Sequence, residues 1–256
     1  FRQLAERWTS GELARLYPDR IPLKTTGWKD QGLLRKHVYP MVEDVALADF
    51  TLVHADAVMR ALPTSSASGS RKQIAMLISR VLDLAAFPLR IIAMSPLPRG
   101  WLPRRGPSKA LSYLYPDEDA RLAGCQQVPL PLRMYYGFLA REGMRGSEAE
   151  ALEWPDIDLE RGAITLDKNK THDPRAWALG PDVVHALAAW KRFQREEYGE
   201  CVAVFLDEDG EPISELHHKH RAKSFRDHLL LAGVNRPVLH ERSTERRPIR
   251  AHDLRA

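Results

Sequence analysis

Residues 142–154 read Glu142-Gly143-Met144-Arg145-Gly146-Ser147-Glu148-Ala149-Glu150-Ala151-Leu152-Glu153-Trp154, and Pro155-Asp156-Ile157-Asp158-Leu159 follows. Gly146 to Trp154 is expected to form a short helix, with Glu148 in its first turn, where a carboxylate suits the helix dipole. Taken alone, Arg145 is a surface loop arginine. Upstream, Asp117 to Cys125 and Leu130 to Arg141 have helical patterns. Downstream, Ala163-Ile164-Thr165-Leu166 and Ala176-Trp177-Ala178-Leu179 are β-prone runs, and the polar stretch Asp167 to Pro174 between them reads as a hairpin turn. Val183, Leu187 and Trp190 then recur at i, i+4 and i+7, which predicts an amphipathic helix. Val202 to Leu206 is expected to be a third strand or an extended connection, Ser214 to Ala232 a helix, and His252 the opening of a last helix. This half of the chain is mixed, mainly helical, with a small antiparallel sheet.

The first hundred residues differ. Leu4 to Leu16, a stretch from about His54 to the Leu62-Pro63 step, and Ser70 to Phe87 are predicted helices, the last with Ile74, Ile78, Val81, Leu82 and Ala85 on one face. Thr64 to Ser70 is small and polar and reads as a turn or a flexible joint. Between the halves, residues 96–107 hold four prolines and two glycines, a composition that forbids regular structure. The expected organisation is α+β: a helical bundle over 1–95, a Pro-rich linker over 96–107 and a mixed domain over 108–256. The tryptophans at 8, 28, 101, 154, 177 and 190 are scattered and read as core, and no internal repeat is visible.

A 256-residue chain with 44% hydrophobic and 28% charged residues suits a soluble globular protein with two cores. No apolar run approaches the roughly 20 residues that span a bilayer, and Phe1-Arg2-Gln3-Leu4 does not open a signal peptide, so a cytoplasmic protein without membrane partners is expected. Cys125 and Cys201 lie far apart and read as reduced thiols. The net charge of +4 is unevenly spread. Residues 1–107 carry 16 Lys+Arg against 9 Asp+Glu, a net of +7, whereas residues 108–256 carry −3. Lys219 to Arg255 is again basic, with 10 Lys+Arg against 4 Asp+Glu and four histidines. Two basic regions flanking a neutral one fit a protein that grips duplex DNA from two sides. Arg71 and Lys72, opening the long helix, and Arg104 and Arg105, in the linker, are the DNA-binding candidates.

Breaking a phosphodiester without a metal requires fixed cations for the charge on the non-bridging oxygens, a proton donor for the departing oxygen and a nucleophile. Arginine suits the first task because its guanidinium forms two parallel bonds to phosphate. Three stretches supply such groups in order. The first, from Gly143 to Asp158, resembles the Gly, apolar, Arg, two residues, Glu and Leu-x-Trp-x-Asp-Ile-Asp run of the tyrosine recombinases, or phage integrases. The second, Lys170-Thr171-His172-Asp173-Pro174-Arg175, is similar to their hairpin motif, with Lys168 as a decoy. The third, His252-Asp253-Leu254-Arg255, matches their His-x-x-Arg, whose two side chains share a helical face.

The resemblance is close from about Tyr113 onward and looser before Arg105. It implies a SAM-like core-binding domain before the catalytic one. It also implies Arg145 and Arg255 as catalytic arginines, Glu148 as the carboxylate supporting Arg145, Lys170 as general acid and His252 as an assisting imidazole. By the same resemblance the activity is site-specific integration or excision of a mobile element through a 3′-phosphotyrosine intermediate, with double-stranded DNA as partner, a homo-tetramer on DNA, and neither metal nor small-molecule cofactor.

The family pattern goes on to a Gly-His segment and then the attacking tyrosine. Tyr17, Tyr39, Tyr113, Tyr115, Tyr135, Tyr136 and Tyr198 all precede Arg255, so none has the nucleophile's place, and Tyr135 and Tyr136 are expected in a core. The chain is therefore read as a fragment, inactive as it stands, that stops before the nucleophile. Ser95-Pro96 replaces the Asn-Pro common in relatives.

A DNA-binding protein derived from a recombinase, without catalysis, is the alternative. A metal- or nucleotide-dependent nuclease predicts clustered carboxylates or a phosphate-cradling glycine loop, and the sequence has neither. His217-His218-Lys219-His220 lacks the partners of a metal set and reads as a basic helix face.

Overall fold

The computed structural model describes residues 1–104, 106–167, 174–213 and 218–255, the last segment by backbone alone over 218–220. It divides into two compact units, Phe1–Pro107 and Ser108–Ala256.

The first unit is helical: α1 (Arg2–Thr9), α2 (Glu12–Leu16), α3 (Gly27–His37), α4 (Tyr39–Val42), α5 (Leu52–Ala61) and α6 (Ser68–Ala86). Helix α6 buries Ile74, Ile78, Val81, Leu82 and Ala85, the face its periodicity predicted. Helix α5 ends before the Leu62-Pro63 step and starts two residues earlier than expected, because His54 Nδ1 accepts the Thr51 backbone N–H at 3.0 Å, a cap reaching back from N3. The single helix expected over Leu4–Leu16 is two, broken at Gly11, whose φ of 79° is left-handed. Helix α3 begins at a glycine for a steric reason. A β-carbon on Gly27 would overlap the carbonyl oxygen of Thr9, so this glycine lets α3 start directly against the end of α1.

Residues 96–107, expected as a linker, lie within this unit. Leu97 and Trp101 pack on its core, and Trp101 Nε1–H donates to Asp56 Oδ1 at 2.8 Å. Trp28 corrects the reading of every tryptophan as core, since it is 70% exposed and its ring lies against the Lys29 ammonium.

The second unit holds α7 (Pro116–Gly124), α8 (Leu130–Glu142), α9 (Gly146–Glu150), β1 (Ile157–Asp158), β2 (Ala163–Leu166), β3 (Arg175–Ala178), α10 (Pro181–Tyr198), α11 (His218–Leu231) and α12 (Pro237–His240). It ends in a 3-10 turn at Ala251–Arg255, where one more helix was expected. The helix expected over Gly146–Trp154 stops at Glu150, and Trp154–Asp156 forms a separate 3-10 turn. The sheet is antiparallel in the order β1-β2-β3. Its third strand is β1, and Val202–Leu206 is the extended connection, making among the described residues isolated bridges, Ala203 to Glu153 and Leu206 to Pro212. Ile164 pairs with Trp177 and Leu166 with Arg175. Cross-strand partners share a face, so Arg175 and Trp177 lie on the side where Ile164 and Leu166 are buried.

Helices α8, α10 and α11 supply the core of this unit, with Tyr135, Phe138, Leu139, Leu187, Trp190, Phe225 and Leu229 packed together. Both expected core tyrosines are buried: Tyr135 Oη–H donates to Glu150 Oε1 at 2.8 Å, and Tyr136 Oη meets His228 Nδ1 at 3.0 Å.

Gly27→Ala tests the α1–α3 contact. An alanine in place of glycine gains helix propensity, at most about 1 kcal/mol, whereas forcing a methyl onto a backbone carbonyl costs about 1–3 kcal/mol. Net destabilisation is expected, read as a lowered denaturation midpoint of residues 1–107 with unchanged far-ultraviolet circular dichroism in the folded baseline.

Candidate active site

The spacing Gly143-x-Arg145-x-x-Glu148 is a turn between two helices. Gly143 ends α8 in the left-handed conformation, φ 60°, and its N–H donates to Leu139 O at 3.1 Å. Met144 is buried and pins the connection. Arg145 occupies the position before α9, and Glu148, at the third helical position, reaches back to accept the Arg145 backbone N–H on Oε2 at 3.0 Å. The same carboxylate accepts Arg145 Nη1–H on Oε1 at 2.5 Å and Arg175 Nη2–H on Oε2 at 2.6 Å. Glu148's side chain is 4% exposed, whereas those of Arg145 and Arg175 are 34% and 37% exposed. One buried anion thus holds two cations at the surface.

Burial alone would raise Glu148's pKa, but the bonds from Arg145 and the charges of Arg175 and Arg145 outweigh it and hold the carboxyl below its ordinary value. Beneath α9, Gly146 passes so close to the Tyr135 hydroxyl that a β-carbon would stand 3.1 Å from it, and Glu150 forms an ion pair with Arg221. Burial drives the Tyr135 pKa up to about 12 and that of Tyr136 upward as well, so both phenols stay protonated and serve packing.

The 3-10 turn repeats the arrangement. Asp253 Oδ2 accepts the Arg250 backbone N–H at 3.0 Å, and Oδ1 accepts Arg250 Nη2–H at 2.9 Å and Arg247 Nη2–H at 3.0 Å. Asp253 is almost fully buried; desolvation would raise its pKa, and the Arg250 bonds with the Arg250 and Arg247 charges bring it below the ordinary value. His252 is exposed and Arg255 half-buried on this turn, and the Arg255 stem runs against α8's end, its Cγ 3.7 Å from where a Gly143 β-carbon would lie. In a 3-10 turn residues i and i+3 eclipse, so the His-x-x-Arg pair remains aligned without an α-helix. Partial burial, then the charges of Arg250, Arg255 and Arg247, lower the His252 pKa against the opposing Asp253, leaving a neutral imidazole at neutral pH.

The structure therefore brings Arg145 and Glu148 together and sets the stem of Arg255 against the turn that carries Arg145. Lys170 and Arg105 lie outside the described residues. Arg71 faces its own unit: Nη2–H donates to Met59 O at 2.8 Å and Nη1–H to Leu62 O at 3.5 Å, closing the end of α5. Lys72 is half-exposed and Arg104 exposed. Among the described residues no group of three or more His, Cys, Asp or Glu side chains could hold a metal ion, and no helix is long and apolar enough to cross a membrane. Sequence reasoning gave no role to Arg175, Arg247, Arg250 or Asp253. The signal for the last two is the repeated Arg-x-x-acid spacing, 145/148 and 250/253, and for Arg175 the period-two alternation with Trp177 and Leu179.

The profile of the phage integrase family matches residues 113–256. The chain belongs to that family. Membership places it among the tyrosine recombinases, whose activity is site-specific DNA recombination. No curated protein matches it by sequence. Solved structures similar to it include a lambda integrase dimer bound to a COC′ core site, with 19% identity over 100% of this chain and 86% of the other at a TM-score of 0.70. A lambda integrase tetramer bound to a Holliday junction gives 19%, 99%, 70% and 0.66. The Tn1549 transposon integrase in complex with transposon right end DNA gives 14%, 98%, 84% and 0.69. At these identities the likeness is one of fold: a mostly helical integrase with a small antiparallel sheet.

Because the folded pKa values of Glu148 and Asp253 lie below their unfolded ones, their contribution to this unit's stability is complete above the ordinary carboxylate range and is lost as pH falls through and below it. Thermal unfolding of the second unit is expected to drop over that acid window. Glu148→Gln should remove about 2 kcal/mol near neutral pH, less than a fully buried pair loses because both arginines are a third exposed, and should flatten the acid limb. An unchanged pH profile in Glu148→Gln would show that the carboxylate is not held this way.

Proposed function

We propose that this integrase cleaves and rejoins duplex DNA at a specific site through a 3′-phosphotyrosine intermediate, integrating or excising a mobile element. The observation that carries the reading is the buried Glu148 carboxylate holding the Arg145 guanidinium at the surface beside the turn of Arg255. Fixed guanidiniums of this kind suit the non-bridging oxygens of a phosphate whose charge grows in the transition state. Arg145 and Arg255 hold the scissile phosphate, Glu148 orients Arg145, and Lys170 protonates the departing 5′-oxygen. His252, neutral before the reaction, donates a hydrogen bond to the phosphate or helps to move a proton. The covalent intermediate conserves the energy of the broken bond, so no metal or nucleotide is required.

The nucleophile is a tyrosine placed after Arg255 in chain order. The seven tyrosines of the sequence precede it, and those at 135 and 136 are sealed in the core. Residues 1–95 act as the core-binding domain, with Lys72 and, from the Pro-rich segment that follows, Arg104 and Arg105 against the DNA backbone, and with Arg71 contributing only donors left over from its bonds to Met59 and Leu62. DNA as partner and assembly as a tetramer are supported by the lambda integrase and Tn1549 complexes. The work is placed in the cytoplasm, where such DNA is accessible.

In the complete enzyme, Arg145→Ala is expected to slow single-turnover strand cleavage by on the order of a hundredfold or more, with DNA affinity nearly unchanged. Equal loss of both would assign Arg145 to ordinary binding. The affinity of residues 1–107 for duplex should fall with salt at a log-log slope of about −0.9 per phosphate contacted. A flat response in a filter-binding titration would remove DNA as the partner of this unit, and wild-type DNA affinity without any covalent complex from the complete chain would favour a non-catalytic DNA-binding protein.

A further inference from the structure

Glu148 has more partners than one arginine needs. Its Oε2 accepts both the Arg145 backbone N–H and Arg175 Nη2–H, while Oε1 takes the Arg145 side chain through Nη1 alone. A carboxylate oxygen has two lone pairs, so Oε2 is full. Arg145 is thereby prevented from adopting the paired arrangement, two parallel N–H bonds to one carboxylate, that a guanidinium otherwise prefers. In that arrangement a whole edge of Arg145 would be spent on Glu148. In the observed one, a single N–H of five is spent there.

Arg175 is itself fixed by the sheet. It is the first residue of β3, opposite Leu166 on the inner face. Its guanidinium lies 5.3 Å from the Trp177 ring centroid, and Trp177, two residues on and on the same face, donates Nε1–H to Glu142 Oε2 at 2.7 Å. Glu142 is the last residue of α8, next to the Gly143 turn that leads to Arg145. Strand β3 is thus tied to both ends of that turn, at Glu142 and at Glu148.

We infer that Arg175 is a positioning residue of the cleavage site: by occupying Glu148 Oε2 it confines Arg145 to one bond on Oε1 and keeps the rest of that guanidinium available to a phosphate. The inference rests on the recombinase reading above. Arg175 itself need not touch DNA, and its effect passes through Glu148. Without it, Arg145 can close on the vacated oxygen and withdraw from the phosphate.

The test uses the complete enzyme and a nicked suicide duplex carrying its own site, followed as covalent complex in single turnover at saturating DNA. Arg175→Ala is expected to slow formation of the complex by about ten- to a hundredfold, with DNA affinity within twofold of the parent. Arg175→Lys, which can still fill Oε2, should recover most of the rate. In a Glu148→Gln background the further change Arg175→Ala should make less than a twofold difference. On a substrate with a neutral methylphosphonate at the scissile position, which needs no charge stabilisation, the Arg175→Ala deficit should shrink to within about threefold. A bridging 5′-phosphorothiolate, whose sulfur leaves without a proton donor, should leave the deficit intact.

A parental rate in Arg175→Ala, a parallel loss of affinity, an undiminished deficit on methylphosphonate, or rescue by the sulfur leaving group would each overturn the inference, the last by assigning Arg175 to the general acid. If Arg175→Ala does not fold, Arg175→Gln replaces it in every arm. Absence of covalent complex from the parent enzyme would instead overturn the recombinase reading, so the two failures are told apart by the parent alone.

Discussion

The buried carboxylate of Glu148 is the constraint on which this site depends. A charge that is 4% exposed is tolerable only when it is paired and hydrogen-bonded, and here three bonds reach it, from a backbone N–H and two guanidiniums of different elements. That requirement fixes α9 to the end of α8 and draws in the first residue of β3. Glu118 and Asp253 obey the same rule. Glu118 accepts the Tyr115 backbone N–H and two bonds from Arg236, which also lies over the Tyr115 ring. Asp253 accepts the Arg250 N–H and the guanidiniums of Arg250 and Arg247. In all three, an acid three residues into a turn closes the local backbone and then recruits an arginine, remote in the case of Glu118 and Glu148. The domain is therefore assembled in part by buried acids that each choose their arginine.

Much of the architecture was legible in periodicity. Helices α6 and α10 carry apolar residues at helical spacing over many turns, and strands β2 and β3 show alternation on either side of a polar stretch, so α6, β2 and β3 stand close to their expected bounds and α10 lies where its spacing put it. What failed did so where one residue overrides a pattern. Leu4 to Leu16 keeps helical spacing across Gly11, yet a left-handed backbone at that glycine splits it. Helix α3 begins at Gly27, ordinarily a reason to end a helix, because the glycine is demanded by the carbonyl of Thr9, a contact invisible in the local sequence. Strand β1 is two residues long, too short to show any period, and was recognisable only from its pairing with β2.

The candidate site was legible in a different way. Arg145, Glu148, His252 and Arg255 are conspicuous because their spacing matches a known order, and the local physics explains that spacing: a left-handed glycine, a buried anchor, an arginine before a helix and an acid at its third position. Arg175 stood in plain view at the end of a quoted motif and received no role, since whether it faces inward depends on the register of β2 with β3. Arg71 illustrates the converse. Its position at the opening of a long helix suggested a partner outside the protein, but its guanidinium turns to the carbonyls that end α5.

The crowding of arginines around His252 has a thermodynamic corollary. Burial first, and then the charges of Arg250, Arg255 and Arg247, hold the imidazole's proton affinity down against Asp253, and an anion settling among those guanidiniums would offset the part due to charge. Binding of such an anion and uptake of a proton by the ring would then favour each other, in the reciprocal sense that applies to any two ligands of one site. An anion bound at this turn would thus make the imidazole more basic.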